Sequence, residues 1–381
     1  MAALKVDPNV KFIEDLQAAG GESLKKCYQC ATCSVVCPLS PEKNPFPRKE
    51  MIWAQWGMKD KLVNDIDIWL CHNCGECSDL CPRGANPGDV LASLRNMAYR
   101  SLAKPAVFGK WMSSSKYLPI LFAIPALIYL IIWGFTTGLS IPAGEVIYGK
   151  VFPGDYTIDP VFGLVAVFVI FSFASAISKL LASFRESGQV PGEDAPSIWK
   201  SLYVVIKDQI LTHSKFKDCA SNKDRYPGHL WLFYGFIALL VVTSIIAVGH
   251  WGGLLIGHQM HTPLALWNPI KILANLGAIA LVVGLTLITR MRLDYDPAKQ
   301  RSSFYDWYLI GVIWVIAVTG ILCEILRLAA LPALAYPMYY LHLISVFMLI
   351  AYLPWSKLAH LVYRTVALAY AHQIGRKGPS E

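Results

Sequence analysis

Eight cysteines fall into two copies of one spacing, C-x2-C-x2-C-x3-C-P: Cys27, Cys30, Cys33 and Cys37-Pro38, then Cys71, Cys74, Cys77 and Cys81-Pro82. The repeat constrains the fold because a 4Fe-4S cubane needs four thiolates around one small core. Three come from a tight loop, and the fourth Cys of each run typically serves the other cluster. The expectation is therefore one cluster on Cys27, Cys30, Cys33 and Cys81 and a second on Cys71, Cys74, Cys77 and Cys37, packed close together in one head. Zinc also takes C-x2-C pairs and is the competing reading, but two full copies each closed by Cys-Pro favour clusters. The opening stretch MAALKVDPNVKFIEDL has no apolar core of a leader, so disulfides are not expected. Cys219 and Cys323 stand outside the motifs and read as structural.

The chain of 381 residues as a whole is too apolar for an ordinary soluble enzyme, with 55% hydrophobic and 16% charged residues. Six stretches, near 118–139, 161–184, 229–250, 266–289, 305–328 and 336–362, are long enough to cross a hydrocarbon core, which takes about 20 helical residues. The expected fold is all-α: a helical di-cluster ferredoxin domain over 1–100, an interfacial linker over 101–117, a six-helix transmembrane cytochrome b bundle over 118–365 and a tail over 366–381. Arg185, Lys200, Lys207, Lys215, Lys217, Lys223 and Arg225 collect in one loop and Arg290, Arg292, Lys299 and Arg301 in another. The positive-inside rule then puts the head, both basic loops and the C-terminus in the cytoplasm, in a multi-pass inner-membrane protein. That topology accounts for the net charge of +8 without nucleic acid, for which no motif is present.

Four histidines bracket two of these spans. His229 and His250 lie at the ends of the third; His342 and His360 lie in the sixth, which runs the other way. Eighteen residues are five whole turns, so His342 and His360 would share one face about 27 Å apart on a continuous helix. Paired by depth, His229 with His360 on the cytoplasmic side and His250 with His342 on the outer side would hold two b haems. A membrane-end histidine can equally be an anchor or a cap, and His258 or His261 could replace His250. His72 and His213 read as surface or second-sphere residues. Lys271, Glu324 and Arg327 are charged groups of the apolar segments that lie near the outer side; Glu324 and Arg327 can pair on one helix face. They are snorkelling side chains or else a quinone or haem-propionate site.

Clusters and haems move single electrons, whereas a quinol supplies two electrons and two protons, so the combination reads as a wire between a quinone pool and a soluble redox partner. No G-x-G-x-x-G opens a nucleotide-binding unit, and no catalytic triad stands out. The chain is therefore expected to be one subunit of a larger complex.

The segment IWLCHNCGECSDLCPRGANPGDVLASLRNMAYR resembles the iron–sulfur C subunit of heterodisulfide reductase. RYPGHLWLFYGFIALLVVTS resembles its cytochrome b partner, the E subunit, and is similar to the nitrate reductase gamma subunit. Their fusion in one chain is similar to the C-subunit family of quinone-interacting membrane-bound oxidoreductase (Qmo) complexes. That resemblance implies electron exchange between menaquinone and two heterodisulfide-reductase-like flavin/iron–sulfur subunits, the A and B types of Qmo, serving adenylylsulfate reductase in dissimilatory sulfate reduction. Alternatives are the membrane arm of a heterodisulfide or sulfite-pathway reductase and, from another class, a membrane anchor or transporter with a zinc-binding head.

Overall fold

The computed structural model describes residues 7–41, 44–218, 225–257, 260, 262–296 and 300–376. His258, His261 and Cys219 lie outside them. Among the described residues there is no strand. The head contains α1 (Val10–Leu16), α2 (Thr32–Val35), α3 (Arg48–Gln55), α4 (Lys59–Val63), α5 (Asp67–Leu70), α6 (Glu76–Asp79) and α7 (Pro87–Leu102). Then come α8 (Ala106–Trp111), α9 (Leu118–Thr137), α10 (Asp159–Glu186), α11 (Ile198–Val205), α12 (Arg225–Ile256), α13 (Pro269–Leu293), α14 (Phe304–Leu328), α15 (Pro332–Ala351) and α16 (Ala359–Gln373).

Among the described residues six helices are long and apolar enough to cross a membrane: Ser115–Thr137, Gly154–Glu186, Arg225–Leu254, Pro269–Leu293, Phe304–Leu328 and Pro332–Ala351. In lipid only an unbroken helix satisfies its own backbone donors and acceptors, and local signals set where these helices begin. Asn268 accepts from the Ile270 N–H at 2.9 Å ahead of Pro269. Ser303 and Asp306 form a reciprocal capping box at the start of α14.

The expected sixth span over 336–362 is two helices. α15 stops at Ala351, a short 3-10 turn holds Leu353–Trp355, Ser356 is extended, and α16 starts afresh at Ala359. Pro354 explains the break: it has no N–H to continue the ladder, and its ring disfavours a helical residue before it. His342 and His360 therefore do not share one continuous helix face.

α15 is central, packing on α9, α10 and α14, whereas α12 packs chiefly on α13. The α12–α13 contact is backbone-close because glycines face it. A Cβ on Gly235 would meet the Leu281 backbone N at 2.8 Å, and one on Gly284 would overlap the Leu232 backbone; small residues of this kind let apolar helices approach. One hydrophobic core runs without interruption from the head (Phe12, Met51, Trp69) through α7 into the bundle (Tyr129, Tyr352, Trp355). Buried polar bonds pin that junction: Trp355 donates to Ala103 O at 3.2 Å and Ser172 to Lys104 O at 2.9 Å. The head is thus packed onto the membrane helices rather than tethered to them.

Candidate functional site

The two cysteine loops repeat in backbone as well as in sequence. Two and four residues after the first Cys of each run the chain is left-handed, at Gln29 (φ 67°) and Ala31 (φ 69°), then at Asn73 (φ 53°) and Gly75 (φ 95°). Such turns aim successive N–H groups inward, which suits an iron–sulfur cluster that is a net anion once its thiolates are counted. Cys27, Cys30, Cys33 and Cys81 line one cavity; Cys37, Cys71, Cys74 and Cys77 line the other. Each fourth cysteine thus sits with the other run. Sulfur atoms already accept donors: Asn73 N to Cys71 Sγ and Ala85 N to Cys81 Sγ at 3.3 Å, and Gln29 Nε2 to Cys27 Sγ at 3.4 Å. Burial pushes the Cys33 thiol up to about 11 and Cys37 to about 12 and lifts Cys77 strongly, so these sulfurs ionise only against a cationic core. Cys30, exposed and bonded to Thr32, is shifted down. Four sulfurs per cavity, with N–H donors to sulfur, fit a cubane.

The second cavity faces the membrane helices. Two residues before Cys71, the indole of Trp69 stacks on the His360 imidazole, with centroids 6.3 Å apart and planes at 25°. His360 lies within electrostatic reach of His229 and of Arg95, Arg364 and Lys357. His229 has Arg225, Arg292 and Lys357 within electrostatic reach. His360 Nδ1 is buried without a hydrogen-bond partner. Two imidazoles among these cations, one with an orphaned nitrogen, suit a b haem, whose propionates are anionic.

His72 and His213, read from sequence as surface or second-sphere residues, both have side chains largely out of solvent. His72 Nδ1 accepts from Arg364 Nη2 at 2.5 Å, and its Nε2 lies 3.3 Å from Asp218; burial first, then Arg364, lowers it to about 4. His213 is 7% exposed, lies edge-on to Phe233 at 4.8 Å, and is separated from His229 by the Phe216 ring. Sequence reasoning missed Trp69, Arg225 and Arg364, although each stands near a motif cysteine or one turn from a histidine.

On the far side the expected pair is not joined. His342 Nδ1 is 3.0 Å from Thr319 Oγ1, and its ring lies against Gly320, where a Cβ would come within 3.1 Å. That leaves Nε2 available and its ring oriented, the usual arrangement for an imidazole ligand. His250 instead engages Asp155 Oδ1 through Nε2 at 2.6 Å, which leaves only its Nδ1 for a metal. Glu324 does not pair with Arg327; it takes Lys271 across the α13–α14 contact at 2.8 Å. A cross-helix partner 53 positions away along the chain displaces the local one because packing, not spacing, decides it. Arg327 lies near Tyr148, whose hydroxyl donates to Cys323 O, and Cys323 is buried.

Residues 23–85 match the 4Fe-4S dicluster domain family. The C subunit of the H2:CoB-CoM heterodisulfide, ferredoxin reductase of Methanothermobacter marburgensis is 38% identical over 92 residues, 24% of this chain and 49% of that one. The E subunit of the dihydromethanophenazine:CoB–CoM heterodisulfide reductase of Methanosarcina thermophila is 26% identical over 155 residues, 38% of this chain and 57% of that one. Citrate utilization protein B of Escherichia coli is 22% identical over 94% of this chain and 92% of its own. The chain spans about half the length of the curated C subunits it matches. No solved structure matches it. The N-terminal region is thus a 4Fe-4S dicluster domain like that of the heterodisulfide reductase C subunit, followed by helices of membrane-spanning length that in part resemble the E subunit.

Proposed function

We propose that this chain is the membrane electron-transfer subunit of a quinone-linked oxidoreductase, exchanging electrons between menaquinol and soluble heterodisulfide-reductase-like flavin/iron–sulfur subunits. The observation that carries the reading is the stacking of Trp69, two residues before Cys71, on His360, which brings the second cysteine run beside a candidate haem histidine. Bound there, a haem and two clusters supply one-electron carriers between a two-electron quinol and the partner. The chain's own work is ligation and placement: Cys27, Cys30, Cys33 and Cys81 for the outlying cluster, Cys71, Cys74, Cys77 and Cys37 for the nearer one, and His229 with His360 for the haem. His342 is the far-side ligand of a second haem, with its partner histidine among His250, His258 and His261. Lys271, Glu324 and Arg327 form the polar group at that end for a quinone or a propionate. Basic loops favour a cytoplasmic head.

Within this reading a Qmo-type complex serving adenylylsulfate reductase accounts for the fusion of C-like and E-like parts. The full-length likeness to a citrate utilization protein favours a second reading, in which the same wire serves a different soluble oxidoreductase. Purified complex should show b-haem absorption, two cubane EPR signals, and reduction of both by a menaquinol analogue. His360→Ala should remove the head-side haem and stop that reduction. A colourless, zinc-containing protein would instead make the chain an anchor or transporter. The copurifying subunits decide between the two soluble partners.

A further inference from the structure

Arg225 stands four residues before His229 on α12, and Arg364 four residues after His360 on α16. In a helix, residues four apart lie on one face, so each histidine carries an arginine one turn toward the head. Both reach the same loop. Arg225 Nη1 donates to Asn73 O at 2.5 Å, and Arg364 Nη1 donates to Cys71 O at 2.7 Å while its Nη2 donates to His72 Nδ1. The two carbonyls flank His72 in the C-x2-C turn of the second cavity. Cys74 lies within electrostatic reach of Arg225. No comparable link from a membrane helix to the first cavity is present among the described residues: Arg48 and Arg83 in its lining both belong to the head, and Arg83 is exposed.

We infer that Arg225 and Arg364 are positioning residues that clamp the Cys71–Cys77 loop onto the His229–His360 site and raise the reduction potential of the cluster held by Cys37, Cys71, Cys74 and Cys77. A reduced cluster carries one more negative charge, and a fixed guanidinium beside its ligands favours that state; net charge and surrounding donors are the levers by which a protein tunes such centres. The step is the uptake of one electron, supplied from quinol by way of the histidine site, with no proton taken and no bond made. The clamp thereby makes the membrane-facing cavity the first acceptor in the head. This rests on the function proposed above.

The test is an EPR-monitored redox titration of the purified full-length protein with its haems and clusters. Arg225→Gln should lower the midpoint of one cluster by about tenfold in its reduction equilibrium, about 59 mV for one electron, with the other cluster unmoved. Arg225→Lys, which keeps the charge and loses the fork, should stay near the wild-type midpoint. Arg364→Gln should move the same signal in the same direction, and it carries the test if Arg225→Gln fails to assemble. Unchanged midpoints in both Gln variants, or equal shifts of both clusters, would overturn the inference. Absence of any cluster or haem signal in the wild-type protein would instead overturn the proposed function.

Discussion

Asp306 is the anion on which the head-side cation cluster depends. It is 5% exposed and holds Arg292 at 3.1 Å and Lys357 through Oδ1, while its Oδ2 accepts from Ser303 N at 2.8 Å and Ser303 Oγ at 2.7 Å. Asp306→Asn keeps the shape and an acceptor for the cap but leaves the mostly buried Arg292 and the half-buried Lys357 without their counter-charge. Removing one member of a buried ion pair costs about 3–5 kcal/mol, and retention of the cap spares the further ~1 kcal/mol that losing it would add. At about 2 °C per kcal/mol for a chain of this size, the loss corresponds to a melting point lower by about 6–10 °C. Thermal unfolding of the detergent-solubilised protein, followed by tryptophan fluorescence, measures it. Adding Lys357→Gln to the Asn variant should recover part of the loss, since one stranded charge is gone. An Asp306→Asn protein melting within about 2 °C of wild type would refute the claim that these charges are mutually dependent.

Three further outcomes are expected. Cys37→Ala should abolish the EPR signal of the cluster otherwise held by Cys71, Cys74 and Cys77 and spare the other; loss of the cluster on its own run would refute the crossed ligation. Asp89 is 7% exposed and burial raises it to about 6. A carboxyl raised in the fold opposes folding as pH rises from about 4 through 6, by up to ~3 kcal/mol, so Asp89→Asn should raise the melting point at pH 7.5 and leave it unchanged at pH 4. Gly284→Leu puts a side chain where the Leu232 backbone lies; forced separation of α12 from α13 should appear as loss of the His229-dependent haem absorbance, while a normal spectrum would show that the contact yields without consequence.

What could be read from the chain divides by the range of the interaction. The cysteine quartets were legible because three ligands lie within seven residues and the fourth follows from the chemistry of paired cubanes; the cavities group them as the spacing suggests. The membrane helices were legible because hydropathy is a local sum. The same sum hid the break at Pro354, since LIAYLPWSKLAH stays apolar through it. Pairings across helices were not legible. Nothing near Glu324 announces Lys271, and Arg327, three residues on, is the partner that local spacing offers. His213 could be read only as a surface or second-sphere residue; the left-handed backbone at His213 (φ 52°), which sets its ring edge-on to Phe233, is not announced by the sequence.

The break at Pro354 also gives the head its position. A continuous sixth helix would carry His360 and Arg364 straight out along the line of α15. Restarting at Ala359 lets α16 pack on α5 and α11 instead, beside the head. There Arg364 can meet the Cys71 carbonyl and His360 can stack on Trp69, and past the end of α16 Arg376 pairs with the buried Asp67 of α5, which Lys49 also holds. Ties from one chain segment to α5 and to the cysteine loop after it fix that loop from both sides of the histidine. A proline that looks like a defect in a membrane span is therefore what brings a membrane-end histidine and a head cysteine loop into one packed unit.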